Sequence, residues 1–376
     1  MTRAEPLNLL HQAKRVVVKI GSALIAENGL ARQSWLDGLA EDVQARRASG
    51  QDVILVSSGA IALGRNRLGS NRPRKLEEKQ AAAALGQPML MTAMTQAFAP
   101  YNLPVAQALL TLEDTENRRR WLNARATLDT LLSAGTVPVI NENDSVATDE
   151  IRYGDNDRLA ARVAQMMGAD VLILLSDVDG LYTADPRLAS DAEHLPVLES
   201  LTDAHIAMAG DSNRESDVGS GGMATKLAAA RIAQSAGCAT VITLGTRERP
   251  LSALLAGARA SWILSDTTPD KAREAWLKGH LSPEGAVIID DGAAAALRSG
   301  ASLLPVGVVS MQGPFPRGAA VSIQDTSGRV IAKGITAYAS EDVGRIAGLH
   351  SDQIEQELGF RGRPAVVHRN DLVLER

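Results

Sequence analysis

Five short runs rich in Val and Ile recur along the chain with helix-compatible sequence between them: RVVVKIG (15–21), DVILVSS (52–58), VPVIN (137–141), DVLILLS (170–176) and ATVITLG (239–245). No other feature constrains the fold as strongly. Each run is continuously apolar rather than alternating, so each predicts a strand buried on both faces. Such strands need helices above and below, and right-handed crossovers between parallel neighbours supply them. The expected fold class is α/β, a three-layer α/β/α sandwich with a mostly parallel central sheet. The stretch SWLDGLAEDVQARRAS (34–49) fits one of the helices, with Gly50 as its C-terminal stop.

This rhythm stops near SDTTPDKAREAWLKGHLSPEG (265–285), where turn residues, prolines and charge come together. The expected organisation is residues 1–265 as the α/β domain, 266–281 as a linker and 282–376 as a small β-rich domain. In the last segment DDGAAAALRSG (290–300) reads as a short helix. The runs SLLPVGVVSMQG, AAVSIQD and RVIAKGITAY read as strands, with TSG (326–328) as a hairpin turn.

Composition narrows the function classes. With 45% hydrophobic and 22% charged residues, neither a disordered chain nor a membrane protein is favoured, and no apolar run approaches the ~18 residues that span a bilayer. The opening MTRAEPLNLLHQAKR has no apolar stretch of signal-peptide length, so a cytoplasmic protein is expected. Cys238 is the only cysteine, which excludes an internal disulfide, and its place beside Gly237 at the edge of an apolar run predicts packing rather than nucleophilic chemistry. The six histidines are scattered and never paired at i, i+4, so no histidine-rich metal site is expected. A net charge of −5 gives no global attraction to nucleic acid.

In an open α/β sheet the ligand crevice lies outside the carboxyl ends of the strands. The residues expected there are Lys19, Gly21 and Ser22; Ser57, Ser58 and Gly59; Asn141 to Asp144; and Ser176 and Asp177. Gly21 and Gly59 either make tight strand-to-helix turns or let backbone approach a ligand. The stretch from Gly210 to Gly222 reads as a long loop, followed by a helix with Lys226 in its first turn. It is not a P-loop, because Lys226 is followed by Leu227. Backbone N–H groups at that helix start can cradle a phosphate, but a helix end contributes only ~0.3–1 kcal/mol. Lysines must then do most of the neutralising of a polyphosphate, together with Mg²⁺, and Lys19 and Lys226 are the available pair. Asp155 and Asp157 precede a helix; Asp157 reads as an N-cap, as a holder of the two ammonium groups, or as both.

At these residues the chain resembles the amino acid kinase family. The motifs are VVVKIGS (16–22), VSSGAIALG (56–64), LNARATL (122–128), VPVINENDSVA (137–147), GDNDRLAA (154–161), LLSDVDGLYTADPR (174–187) and GSGGMATK (219–226). The tail, with LLPVGVVSMQGPFPRGAAVSI and RIAGLHSDQI, is similar to a PUA domain. The resemblance implies ATP-dependent phosphorylation of the γ-carboxylate of L-glutamate, the first step of proline biosynthesis. It implies Lys19 and Lys226 as the lysines on the transferring phosphoryl group and Asp157 as the aspartate that orients them. Ser58, Asp144 and Asn156 match glutamate-binding positions. Gly21, Ser176, Asp177 and the run Ser220, Gly221, Gly222, Met223, Ala224, Thr225, Lys226 match nucleotide-binding ones, with Lys19 shared. No protein metal ligand is assigned. Also implied are feedback inhibition by proline at a site overlapping that of glutamate, a homo-oligomer (dimer or tetramer), and glutamyl phosphate reductase as a candidate partner for the labile product.

Family members that phosphorylate aspartate or acetylglutamate are the nearest alternatives, and the tail argues against the former, which typically carry ACT domains. An RNA-binding role for the tail is disfavoured by its charge, since residues 281–376 hold nine Lys plus Arg against eleven Asp plus Glu. A nucleotide sensor without catalysis is disfavoured by the presence of Lys19, Lys226 and Asp157 together.

Overall fold

The computed structural model describes residues 4–69, 73, 75–147, 155–208 and 222–375. They form two compact units, 1–269 and 270–376.

The first unit is built on an eight-stranded sheet among the described residues. Its strands are β1 (Arg15–Ile20), β2 (Asp52–Ser57), β3 (Val105–Leu110), β4 (Val137–Glu142), β5 (Val171–Ser176), β6 (Val197–Leu198), β7 (Ala239–Leu244) and β8 (Ala260–Ile263). The spatial order is β6-β8-β7-β5-β1-β2-β4-β3, and of the neighbouring pairs only β7 and β8 run antiparallel. Period-2 alternation divides the apolar runs between two cores. Val16, Val18, Ile20, Leu55, Ile173 and Leu175 fill one side of the sheet. Val17, Ile54, Val56, Leu172, Leu174 and Ile242 fill the other. Continuous hydrophobicity thus has the expected cause.

Helix α1 (Gln33–Ala48) ends where the sequence predicts, with Gly50 at φ +85° and its N–H donating to Arg47 O. After β2 the chain turns at Gly59, whose φ of +100° lies in the left-handed region, and enters α2 (Ala60–Gly64). This short helix crosses α3 (Leu76–Phe98) at very close range through Gly64 and Gly86. A Cβ on Gly64 would lie 1.9 Å from Ala82 O, and one on Gly86 would lie 1.8 Å from Ala60 O. The crossing fixes the segment that follows Ser57 and Ser58. Two further helices, α4 (Asp155–Met167), which packs on β1, β5 and β2, and α5 (Met223–Ser235), which packs on β7, contribute Leu159, Val163, Leu227 and Ala230 to the second core.

Residues 266–281, read as a linker, contain helix α6 (Pro269–His280). Pro at the first helical position and the pairs Arg273–Asp270 (2.6 Å) and Lys278–Glu274 (2.7 Å) give this polar stretch its helical start and faces.

The second unit holds a five-stranded sheet of β9 (Gly285–Ile289), β10 (Val308–Gln312), β11 (Ala320–Asp325), β12 (Val330–Thr336) and β13 (Val367–Leu374), in the order β10-β9-β11-β12-β13. Helix α7 (Asp291–Arg298) begins where Asp290 accepts from Ala293 N–H at 2.6 Å. The TSG turn is pinned by Asp325, which accepts from the N–H groups of Ser327 and Arg329 at 3.0 Å each.

Candidate active site

Lys19 stands near the carboxyl end of β1, two residues after Val17. By strand alternation its side chain therefore leaves the sheet on the side covered by α4 and α5. The first turns of both helices lie at this edge. Asp157 is the third residue of α4, and Lys226 the fourth of α5. The three side chains meet: Lys19 Nζ is 2.7 Å from Asp157 Oδ1, and Lys226 Nζ is 3.3 Å from Asp157 Oδ2. Asp157 is completely buried and both lysines are 5% exposed. As α4 starts at Asp155, Asp157 lies inside the helix and is not its N-cap; only the ammonium-holding role survives of the two read from the sequence.

Burial opposes ionisation of Asp157, but the charges of Lys19 and Lys226 outweigh it and hold its carboxyl below the usual carboxylate range. Burial lowers the Lys226 ammonium from its usual value, against the attraction of Asp157, and the charge of Lys19 acts in the same direction as burial. With all three groups ionised, the cluster carries one net positive charge in a poorly solvated place. That is a receptor for an anion.

Of the residues that the sequence resemblance matched to glutamate binding, Ser58 lies beside Asn156, the neighbour of Asp157 on α4. Its Nδ2 lies 3.0 Å from Ser57 O, 2.8 Å from Ser58 Oγ and 3.1 Å from Asn141 Oδ1. The amide of Asn156 is thus spent on the ends of β2 and β4, while its Oδ1 is buried with no donor among the described residues. Asp144 lies two residues beyond β4 and is buried, at 8% exposure. No hydrogen bond among the described residues joins it to Ser58 or Asn156, and burial alone pushes its carboxyl up to about 6. Asn141, 2% exposed, takes part in this cluster; the sequence placed it at the crevice, in NEND at a strand end, without giving it a binding role.

Of the residues matched to nucleotide binding, Ser176 ends β5 and its hydroxyl donates to Asp177 Oδ1 at 3.1 Å. Asp177 is exposed. Gly21 has an ordinary φ of −71°, and a Cβ there would meet only Leu175 O at 4.0 Å, so the glycine leaves open space and is not forced by its backbone. Gly222 caps α5 without a side-chain bond, and Met223, Ala224, Thr225 and Lys226 form its first turn. The Thr225 hydroxyl is 2.9 Å from Asp157 Oδ2. Ser220 and Gly221 lie outside the described residues. Among those described, no three His, Cys, Asp or Glu side chains converge as a metal site would require. Cys238 is fully buried, and burial pushes its thiol well up, in keeping with packing.

Comparison with known proteins places this chain in a class. Residues 14–243 match the amino acid kinase family model, and residues 285–358 match that of the PUA domain. The chain belongs to the amino acid kinase family and carries a PUA domain at its C-terminal end. Three relatives similar over almost their whole length are each named glutamate 5-kinase. That of Caulobacter vibrioides is 56% identical over 365 residues, 96% of this chain and 97% of the relative. The protein of Paramagnetospirillum magneticum is 54% identical over 368 residues, covering 97% and 99%. That of Paracoccus denitrificans is 52% identical over 366 residues, covering 97% and 98%.

Proposed function

We infer that this chain transfers the γ-phosphoryl group of ATP to the γ-carboxylate of L-glutamate, giving L-glutamyl 5-phosphate for proline biosynthesis. The observation that carries the inference is 56% identity to a glutamate 5-kinase over 96% of the chain, both domains included. The Lys19–Asp157–Lys226 cluster supplies the chemistry.

The γ-carboxylate of glutamate is already ionised near neutral pH, so attack on phosphorus needs no general base. What the reaction needs is in-line alignment and relief of repulsion between two anions. In this reading Lys19 and Lys226 take up charge that develops on the transferring group, and Asp157 fixes both ammoniums before substrate arrives. A preset pair costs no reorganisation during the reaction. Mg²⁺ enters as part of the MgATP substrate, carried by phosphate oxygens and water. Asp144 takes the α-ammonium of glutamate, and Ser58 with backbone N–H groups takes its carboxylates. Because the Asn156 N–H groups already hold Ser57, Ser58 and Asn141, Asn156 contributes by shaping this pocket and by offering its carbonyl Oδ1. Ser176, Asp177, Gly21 and the turn that opens α5 flank the nucleotide.

Proline, which shares the ammonium and α-carboxylate of glutamate, belongs to the same reading as feedback inhibitor. So do a homo-oligomer, a cytoplasmic location and transfer of the acyl phosphate to glutamyl phosphate reductase. No helix among the described residues is long and apolar enough to cross a membrane. The test is ADP release by purified protein with MgATP and glutamate, with aspartate and N-acetylglutamate alongside. Release that depends on glutamate alone is expected. Release with another acid moves the substrate assignment, and no release with any acid contradicts the kinase reading.

A further inference from the structure

The Asp144 carboxylate is buried and makes no hydrogen bond among the described residues, so no bond of its own holds it in place. Its position comes from the backbone that carries it, and three bonds set that backbone. The Asn143 N–H donates to Leu110 O at 2.9 Å, tying the segment after β4 to the end of β3. The Val146 N–H donates to Asn143 O at 3.1 Å and closes a four-residue turn with Asp144 and Ser145 at its centre. Beyond the turn, the side-chain amide of Gln80 donates to Ala147 O at 3.1 Å.

Of the three, only the Gln80 bond comes from a side chain. Its sense is settled by the partner: a carbonyl oxygen only accepts, so the N–H side of the amide faces Ala147. Gln80 is the fifth residue of α3, the helix that crosses α2 at Gly64 and Gly86 and so fixes the segment after Ser58. One helix therefore supports two of the residues matched to glutamate binding, Ser58 through the glycine crossing and Asp144 through the Gln80 amide.

Building on the kinase reading above, in which Asp144 takes the α-ammonium of glutamate, we propose that Gln80 is a positioning residue for glutamate: its amide holds Ala147 O and so keeps the 143–146 turn where the Asp144 carboxylate meets the ammonium. A buried carboxylate without a partner gains by moving toward water, and the tie at Ala147 resists that movement. With the tie removed, the exit of the turn is released and the ammonium meets a less ordered counter-charge. The nucleotide, flanked by β5 and the start of α5 in the same reading, is unaffected. The loss therefore falls on glutamate binding and not on the chemical step.

The test uses full-length protein and steady-state kinetics with glutamate and MgATP. Gln80→Met keeps the side-chain length and a good helix former while removing both N–H donors. Its KM for glutamate is expected to rise roughly 3- to 10-fold, as for one lost hydrogen bond, with kcat and the KM for MgATP within about 2-fold of wild type. The same substitution is then made in Asp144→Asn. Because Gln80 acts through the Asp144 carboxylate, the further rise expected there is under about 2-fold. Should the Met variant not fold, Gln80→Ala makes the same comparisons. A glutamate KM unchanged by the single substitution overturns the proposal. A rise of equal size in both backgrounds, or a KM for MgATP raised as much as that for glutamate, also overturns it, since a general loosening of the fold then explains the effect. Wild-type protein inactive in the same assay contradicts the kinase reading itself, and an unaltered glutamate KM in Asp144→Asn alone contradicts its placement of Asp144, so these failures are distinguishable from that of Gln80.

Discussion

Replacing Asp144 by Asn separates what this carboxylate does for stability from what it does for binding. Burial, with no partner among the described residues, pushes its carboxyl from 3.8 up to about 6. The native state therefore holds the Asp144 proton more tightly than the unfolded chain, and folding stability from this group is complete below the unfolded value and lost as pH rises through about 6. A rise of roughly two units at ~1.4 kcal/mol each makes ionised Asp144 a cost of about 3 kcal/mol at pH 8. Asp144→Asn cannot ionise, so its stability relative to wild type should improve between pH 4 and pH 8, by on the order of 2 kcal/mol because part of the window lies below pH 4. Urea unfolding of the ligand-free protein, followed by tryptophan fluorescence at both pH values, reads this difference. In parallel the variant's KM for glutamate should rise by at least about tenfold, because the α-ammonium loses its counter-charge. Identical pH slopes for the two proteins would refute the burial argument, and an unaltered glutamate KM would remove Asp144 from the pocket.

Three further outcomes are expected. Lys226→Ala should lower kcat by roughly 100-fold or more while changing the glutamate KM far less, as steady-state kinetics would show; an unchanged kcat would exclude Lys226 from the transferring group. Asp157→Asn leaves Lys19 and Lys226 facing each other without a counter-charge, which should cost about 3–5 kcal/mol in urea unfolding near neutral pH. Since the native Asp157 carboxyl is held low, this stabilisation is present above the unfolded value of about 3.9 and lost as pH falls through the lower native value, so the gap should narrow in acid. Gly86→Ala gains about 1 kcal/mol of helix propensity but drives a methyl group to 1.8 Å from Ala60 O, and overpacking costing up to about 3 kcal/mol should win, lowering the urea midpoint.

The strands legible in the sequence were those buried on both faces, since continuous Val and Ile leave little else for β1, β2, β4, β5 and β7 to be. The three strands missed in the first sheet lack that mark, and in the second sheet β9 and β13 were missed as well. VAQALL forms β3 at the sheet edge with mostly half-buried residues; ASWI in β8 is four residues long; and β6 is a single pair, Val197–Leu198. Last in the chain, β13 reads VHRNDLVL, with polar residues where it is not covered. In the site, Lys19, Lys226 and Asp157 were legible because crevice position and charge pairing both follow from local pattern. The sharing of Asp157 Oδ2 between Thr225 and Lys226 was not, for it depends on how the starts of α4 and α5 meet across the sheet. Nor was the use of the Asn156 amide to tie β2 to β4, which joins residues far apart in sequence.

The central claim is that the protein makes an acyl phosphate on the γ-carboxylate of glutamate. The most direct measurement is trapping of that product with hydroxylamine, in reactions with and without MgATP. Formation of γ-glutamyl hydroxamate only when both glutamate and MgATP are present is the predicted result. ATP turnover with glutamate but no hydroxamate would contradict it, because the phosphoryl group would then have gone to water or another acceptor.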